Sequence, residues 1–150
     1  MNKDEILPNF GALRRTFVFN GLILFLLGLI IGLVEGHVSN PRMGLAAHLE
    51  GLMNGIYLIA LGSILGWVRL PRSLFSLAFW TTIYGAYANL AVTVFASLIN
   101  ASSFSPITGA GLHASLVQEY LVSFGFVTVG IAMLVSTCLF IFGMRKTIQS

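Results

Sequence analysis

The sequence predicts an all-α integral membrane protein, a bundle of four spanning helices, and three observations predict it. Of its 150 residues 57% are hydrophobic and 9% charged, whereas a soluble domain carries about 25% charged residues. Four apolar stretches each reach the roughly 20 residues that a bilayer-spanning helix needs. The basic residues gather at alternate ends of those stretches, as the connections of a multi-pass bundle do.

The stretches lie at about 16–34, 44–68, 73–99 and 115–143. Together they use nearly the whole chain, so 1–150 reads as a single domain with no room for an extramembrane one. Before the first span, Met1 to Arg15 mixes Lys3, Asp4, Glu5 and Pro8, which suits a frayed segment or a short surface helix. The first apolar run exceeds the 7–15 residues of a signal-peptide core, and no A-x-A-like cleavage site follows, so it reads as a retained helix. Its one amide, Asn20, suits a cap or an interface. Between the second and third spans VRLPRS is very short. Pro71 stops one helix and Ser73 can cap the next, which makes the two spans antiparallel neighbours. Asn100 to Ala114, rich in Ser, Gly and Pro, reads as a true loop that could cover a site. In the fourth span Cys138 lies among Leu134, Val135 and Phe140 and reads as a small buried packing residue. A lone thiol forms no intramolecular disulfide, and a C-x-x-C motif is absent.

Lys3, Arg14, Arg15, Arg69, Arg72, Arg145 and Lys146 mark one side of the bundle and only Arg42 the other. The positive-inside rule therefore puts both termini in the cytoplasm, in a bacterial-type inner membrane. The isoelectric point near 9.4 reflects this asymmetry. With no basic stripe, nucleic-acid binding is excluded.

Polar side chains inside the spans carry what chemistry there is, because each is costly in hydrocarbon. The stretch NPRMGLAAHLEGLMNG brings His48, Glu50 and Asn54 into the second span. Gly51 and Gly55, at i+3 and i+7, share the face of His48. As a G-x-x-x-G pair they fit close helix contact; under an imidazole they also leave room for a flat ligand such as a porphyrin, with a ring nitrogen ready for its iron. Glu50 and Asn54 share a different face. Glu50 suits a hydrogen-bonded or protonated carboxyl, or an ion pair with Arg42. In the third span Gly85, Asn89 and Thr93 recur at spacing four after Thr82. Asn89 and Asn54 both fall roughly 15 Å deep, as interhelical glue or as two walls of one polar pocket. Trp67 and Trp80 suit the interfacial belt, and Tyr84 and Tyr87 an apolar slot for an aromatic ligand. Glu119 enters the fourth span at the depth of His48 and Glu50. His37 and His113 read as solvated, with no His or Cys partner at zinc-site spacing. G-x-S-x-G, H-E-x-x-H, P-loop and dinucleotide signatures are all absent.

NPRMGLAAHLEGLMNG resembles the signature of hydroxylaminobenzene mutases, and the spacing His48, Asn54, Gly55 is also similar to that of styrene oxide isomerases. In the third span, FWTTIYGAYANL places Asn89 at a matching asparagine. The resemblance implies haem b with His48 as axial ligand and a homotrimer with haem between subunits. It further implies ferric iron acting as a Lewis acid, with Asn54 and Asn89 orienting the substrate. Gly85 and Thr93 depart from the aspartate and tyrosine of the epoxide-isomerising branch, and Glu50 is extra, so the mutase branch fits better. The expected function is rearrangement of a lipid-soluble arylhydroxylamine to an ortho-aminophenol, with Asn54, Asn89 and Glu50 catalytic, Glu50 shuttling a proton, and His48, Gly51 and Gly55 holding the cofactor. The alternatives are an epoxide isomerase, or a non-catalytic bundle serving as a small-solute carrier or assembly partner.

Overall fold

A computed structural model of the protein describes residues 10–145. Its long helices are α1 (Phe10–Val34), α2 (Pro41–Ile64), α3 (Arg72–Ile99) and α5 (Leu116–Arg145), with a single-turn α4 (Pro106–Gly109) in the long connection. The four long helices, α1 and α2 each extended by a short 3₁₀ turn, are long and apolar enough to cross a membrane. Arg14, Arg15, Arg69, Arg72 and Arg145 lie at one end of the bundle; Asn40, α4 and His113 lie at the other, the loop end.

Helix starts follow local chemistry more than hydropathy. α2 begins at Pro41, a turn before the expected Gly44: Asn40 Oδ1 accepts from Met43 N at 3.2 Å, and Pro41 occupies the first turn, where its missing N–H costs nothing. α1 extends back to Phe10, so Phe10 to Arg15 is helix; the expectation for residues 1–9 lies outside the described residues. Arg14 tolerates that position because its Nε donates to Gly62 O of α2 at 3.3 Å. Ser73 is not the cap of α3. Pro71 stands at the cap position with φ −56°, already set for helix entry, and Ser73 falls inside the first turn. At the far end of α3, Asn100 takes a left-handed conformation (φ 63°) and its N–H closes the last turn on Ala96 O.

The helices pack in different ways. α1 and α2 meet through glycines, with backbone against backbone. A Cβ built at Gly51 would lie 2.5 Å from Gly28 Cα, and one at Gly55 2.7 Å from Gly21 O. α3 and α5 meet through hydroxyls: Thr82 with Ser136, both buried, and Tyr84 with Thr128 at 2.8 Å. Tyr57 of α2 reaches Thr137 of α5 at 3.0 Å, and the Tyr87 hydroxyl of α3 donates to Asn20 Oδ1 of α1 at 2.9 Å. Asn20 is thus a pin between helices. α2 and α3 pack as expected for neighbours. Near the arginine end the core is aromatic, with Phe17 edge-on to Phe79 at 5.2 Å and to Phe140 at 6.2 Å. Cys138 corrects an expectation: it is exposed on the bundle's outer face. α5 buries a narrow stripe through Val129, Ala132, Ser136 and Phe140, and position 138 lies off it.

Candidate functional site

The polar residues of α2 divide between two faces. Toward α3, Glu50 receives two carboxamides on one oxygen: Asn54 Nδ2 donates to Oε2 at 3.3 Å, and Asn89 Nδ2 donates to the same Oε2 in a short contact. Asn54 sits one turn along α2 and is 6% exposed, while Asn89 comes from α3. The matching depth expected of the two asparagines is realised on a single carboxylate. Glu50 therefore takes the hydrogen-bonded arrangement and not an ion pair with Arg42. Asn89 is steadied from behind, since buried Thr93 donates its hydroxyl to Asn89 O at 2.8 Å. Beside it, Gly85 lies under Met133, whose Sδ would be 2.6 Å from an added Cβ. Met133 thus fills the space a larger side chain would take.

Toward α1, His48 Nδ1 lies 2.8 Å from Gly28 O. A carbonyl only accepts, so in the neutral ring Nδ1 carries the proton and the Nε2 lone pair is left for another partner. The ring lies against Gly32, where a Cβ would come within 2.6 Å of Nδ1 and 2.8 Å of Cε1. The glycine there is a cradle for the imidazole. An imidazole whose second nitrogen is fixed by a backbone carbonyl is the usual form of a metal-ligating histidine, so the donor fits an axial iron ligand. The groove expected over Gly51 and Gly55 is a different matter. α1 fills it, so in this chain the two glycines make a helix contact and leave no flat slot.

The structure thus brings Glu50, Asn54 and Asn89 together and turns His48 to another face. Among the described residues no group of three or more His, Cys, Asp or Glu could hold a bare metal ion. His37 and His113 are exposed. Glu119 is buried at the loop end, away from this chemistry. It accepts from the backbone N–H of Ser102 (3.1 and 3.0 Å, shared between its oxygens), Ser103 (2.9 Å) and Ala114 (2.9 Å). It clamps the connection between α3 and α5, and α4 in that connection caps α2, with Asn40 Nδ2 donating to Thr108 O at 3.0 Å. Sequence reasoning missed three participants: Gly28, Gly32 and Asn40. Gly28 and Gly32 form their own G-x-x-x-G on α1, and Asn40-Pro41 is a helix-start pair, so both signals were present.

A carboxylate held by two amides between membrane-type helices, with a tautomer-fixed histidine on the next face, defines a polytopic helical membrane protein with a polar site inside its bundle. The chain belongs to the styrene oxide isomerase family, whose model matches residues 13–145. It is 37% identical over 137 residues to hydroxylaminobenzene mutase HabB of Ectopseudomonas oleovorans, covering 91% of this chain and 84% of that protein. With hydroxylaminobenzene mutase HabA of the same organism it shares 37% identity over 134 residues, 88% of this chain and 99% of the relative. No solved structure matches the chain. The four long apolar helices and the family together fit an integral, multi-pass membrane protein.

Proposed function

We propose that the protein is an inner-membrane isomerase that rearranges an arylhydroxylamine to the ortho-aminophenol. The reaction class rests on the two mutases that share its length. The assignment of roles rests on one observation, the convergence of Asn54 and Asn89 on Glu50 Oε2. In the reaction the N–O bond breaks and a C–O bond forms at the adjacent ring carbon. That carbon loses a proton and the nitrogen gains one, so product and substrate are isomers.

Glu50 moves that proton. With both amides engaged on Oε2, Oε1 is the oxygen that accepts it from the ring carbon and returns it to nitrogen. Asn54 and Asn89 fix the carboxylate's orientation. The substrate partitions into lipid and reaches the bundle sideways. A groove of about 460 Å³ between α1 and α3, lined by Leu27, Ile31, Tyr87, Leu90, Val94 and Phe95 among others, is almost wholly apolar and suits an aromatic ring. Tyr87 adds no polar handle there because its hydroxyl is spent on Asn20.

His48 would hold haem b through Nε2, the nitrogen that the Gly28 carbonyl leaves unengaged. When bound, the iron supplies a Lewis acid that polarises the N–O bond. Because α1 covers Gly51 and Gly55, those glycines would not hold the cofactor, and a neighbouring copy in a homotrimer would supply the further residues of the site. Both termini are cytoplasmic, in keeping with the arginine-bearing end.

Detergent-purified protein, expressed with ample haem, is expected to show a Soret band that is absent in His48→Ala, and to convert phenylhydroxylamine to 2-aminophenol. A haem-loaded protein that leaves phenylhydroxylamine untouched but opens styrene oxide would replace the mutase reading with epoxide isomerisation. A colourless protein with full turnover would remove the iron and leave the Glu50 chemistry standing alone.

A further inference from the structure

A second groove, of about 260 Å³, lies between α1 and α3 at the arginine end and is lined by Leu13, Arg72, Phe75, Ser76, Phe79 and Trp80. Arg72, Ser76 and Trp80 follow one another at i, i+4 and i+8, so they form one column along α3. At about 1.5 Å per residue the column is about 12 Å long. All three side chains are hydrogen-bond donors: a guanidinium at the helix end, a hydroxyl one turn in, an indole N–H two turns in. Phe75 and Phe79 form the neighbouring column, and Leu13 faces them from α1. Trp80 is held edge-on against Phe79 at 5.1 Å and is 64% exposed to whatever surrounds the bundle.

Charge decides what fits this shape. Arg14, Arg15, Arg69, Arg72 and Arg145 crowd this end, while the described carboxylates, Glu35, Glu50 and Glu119, all lie toward the loop end. Arg14 and Arg69 donate to backbone carbonyls, and among the described residues no arginine is ion-paired. The groove therefore offers positive charge at its mouth and, one to two turns in, neutral donors beside an apolar wall of Phe75, Phe79 and Leu13 at the same depths, which suits a phospholipid's phosphate, its glycerol esters and the upper part of an acyl chain. Basic pockets between spanning helices on the cytoplasmic side are where anionic headgroups bind.

We propose that this groove is a binding site for one anionic phospholipid, with its phosphate on Arg72, its ester region on Ser76 and Trp80, and an acyl chain along Leu13, Phe75 and Phe79. The site is separate from Glu50 and His48 and stands whether or not the mutase reading does.

The test is native mass spectrometry of the intact protein in detergent, titrated with phosphatidylglycerol or phosphatidylcholine of identical acyl chains. Wild type is expected to retain phosphatidylglycerol preferentially, by roughly five-fold or more for the charge of one arginine near the surface. Arg72→Gln should abolish that preference, and Trp80→Phe should weaken retention of both lipids. Arg145→Gln, at another exposed arginine of the same end that does not line the groove, should keep the preference. Equal retention of the two lipids by wild type would overturn the proposal and assign the groove to plain hydrocarbon or a neighbouring copy. An unchanged preference in Arg72→Gln, or an equal loss in Arg145→Gln, would also overturn it by showing the effect to be diffuse surface charge.

Discussion

α2 presents two faces that solve different problems. On the α1 face the packing elements are glycines, and the backbones touch; the polar group there, His48, is satisfied by the Gly28 carbonyl. On the α3 face the elements are side chains, and Glu50 is satisfied by two amides from two helices. The first face depends on fit, because any added atom meets backbone that has nowhere to go. The second depends on chemistry, because its atoms can be replaced at little cost in volume but not in hydrogen bonding. One helix thus separates His48 from Glu50 by a fraction of a turn.

The sharpest way to break this contrast is Glu50→Gln, which preserves shape and removes the acid. Turnover of phenylhydroxylamine should fall by about 10²–10⁴-fold, the usual contribution of a general acid–base, with haem content and thermal midpoint nearly unchanged. A comparable fall in haem content would mean that the two faces are not independent. On the glycine face the order of effects reverses. Gly51→Val should cost about 1–3 kcal/mol of stability through overpacking, read as a lower unfolding midpoint in detergent. Gly130, in α5, has nothing within 4 Å of an added Cβ. There an alanine should instead stabilise by up to about 1 kcal/mol through helix propensity.

The loop end gives a smaller effect. Glu119→Gln sets an amide N–H₂ against backbone donors and should raise hydrogen exchange at Ser102, Ser103 and Ala114 by on the order of tenfold. Exchange elsewhere should hardly move. The smallest change is expected at the α3–α5 seam. Ser136→Ala removes one buried interhelical hydrogen bond, which in membrane bundles is worth about 0.6 kcal/mol on average; double-mutant analysis with Thr82→Ala would isolate it.

Hydropathy alone located all four long helices, since burying a helix in lipid requires an apolar length that few other structures need. It placed their starts less well. Asn40-Pro41 and Pro71 set two of them by capping geometry and fixed φ, which an apolar average does not register. The site was half legible. Helical spacing put Glu50 and Asn54 on one face and His48 on another, and counting residues put Asn89 at the depth of Asn54. Spacing could not say which partner would fill the groove over Gly51 and Gly55. Both a porphyrin and a helix suit a surface without side chains, and the choice lay with Gly21 and Gly28, far away in sequence. Cys138 was misread for a related reason: in a span that is apolar on every side, composition does not distinguish the packed stripe from the outer face.

What the sequence determined by itself was therefore everything set by local chemistry and one-dimensional length: an all-helical bundle, its spans, its asymmetry of arginines, and the faces on which polar groups lie. Only the tertiary structure decided which faces meet. It turned a distant amide, Asn89, onto Glu50 beside the local Asn54, pressed α1 into the glycine groove, and gave Glu119 to the loop and not to the site. The reason is physical. Helix geometry fixes directions within about one turn, whereas contact between helices depends on complementary relief and polar pairing across the whole bundle, which no single segment contains.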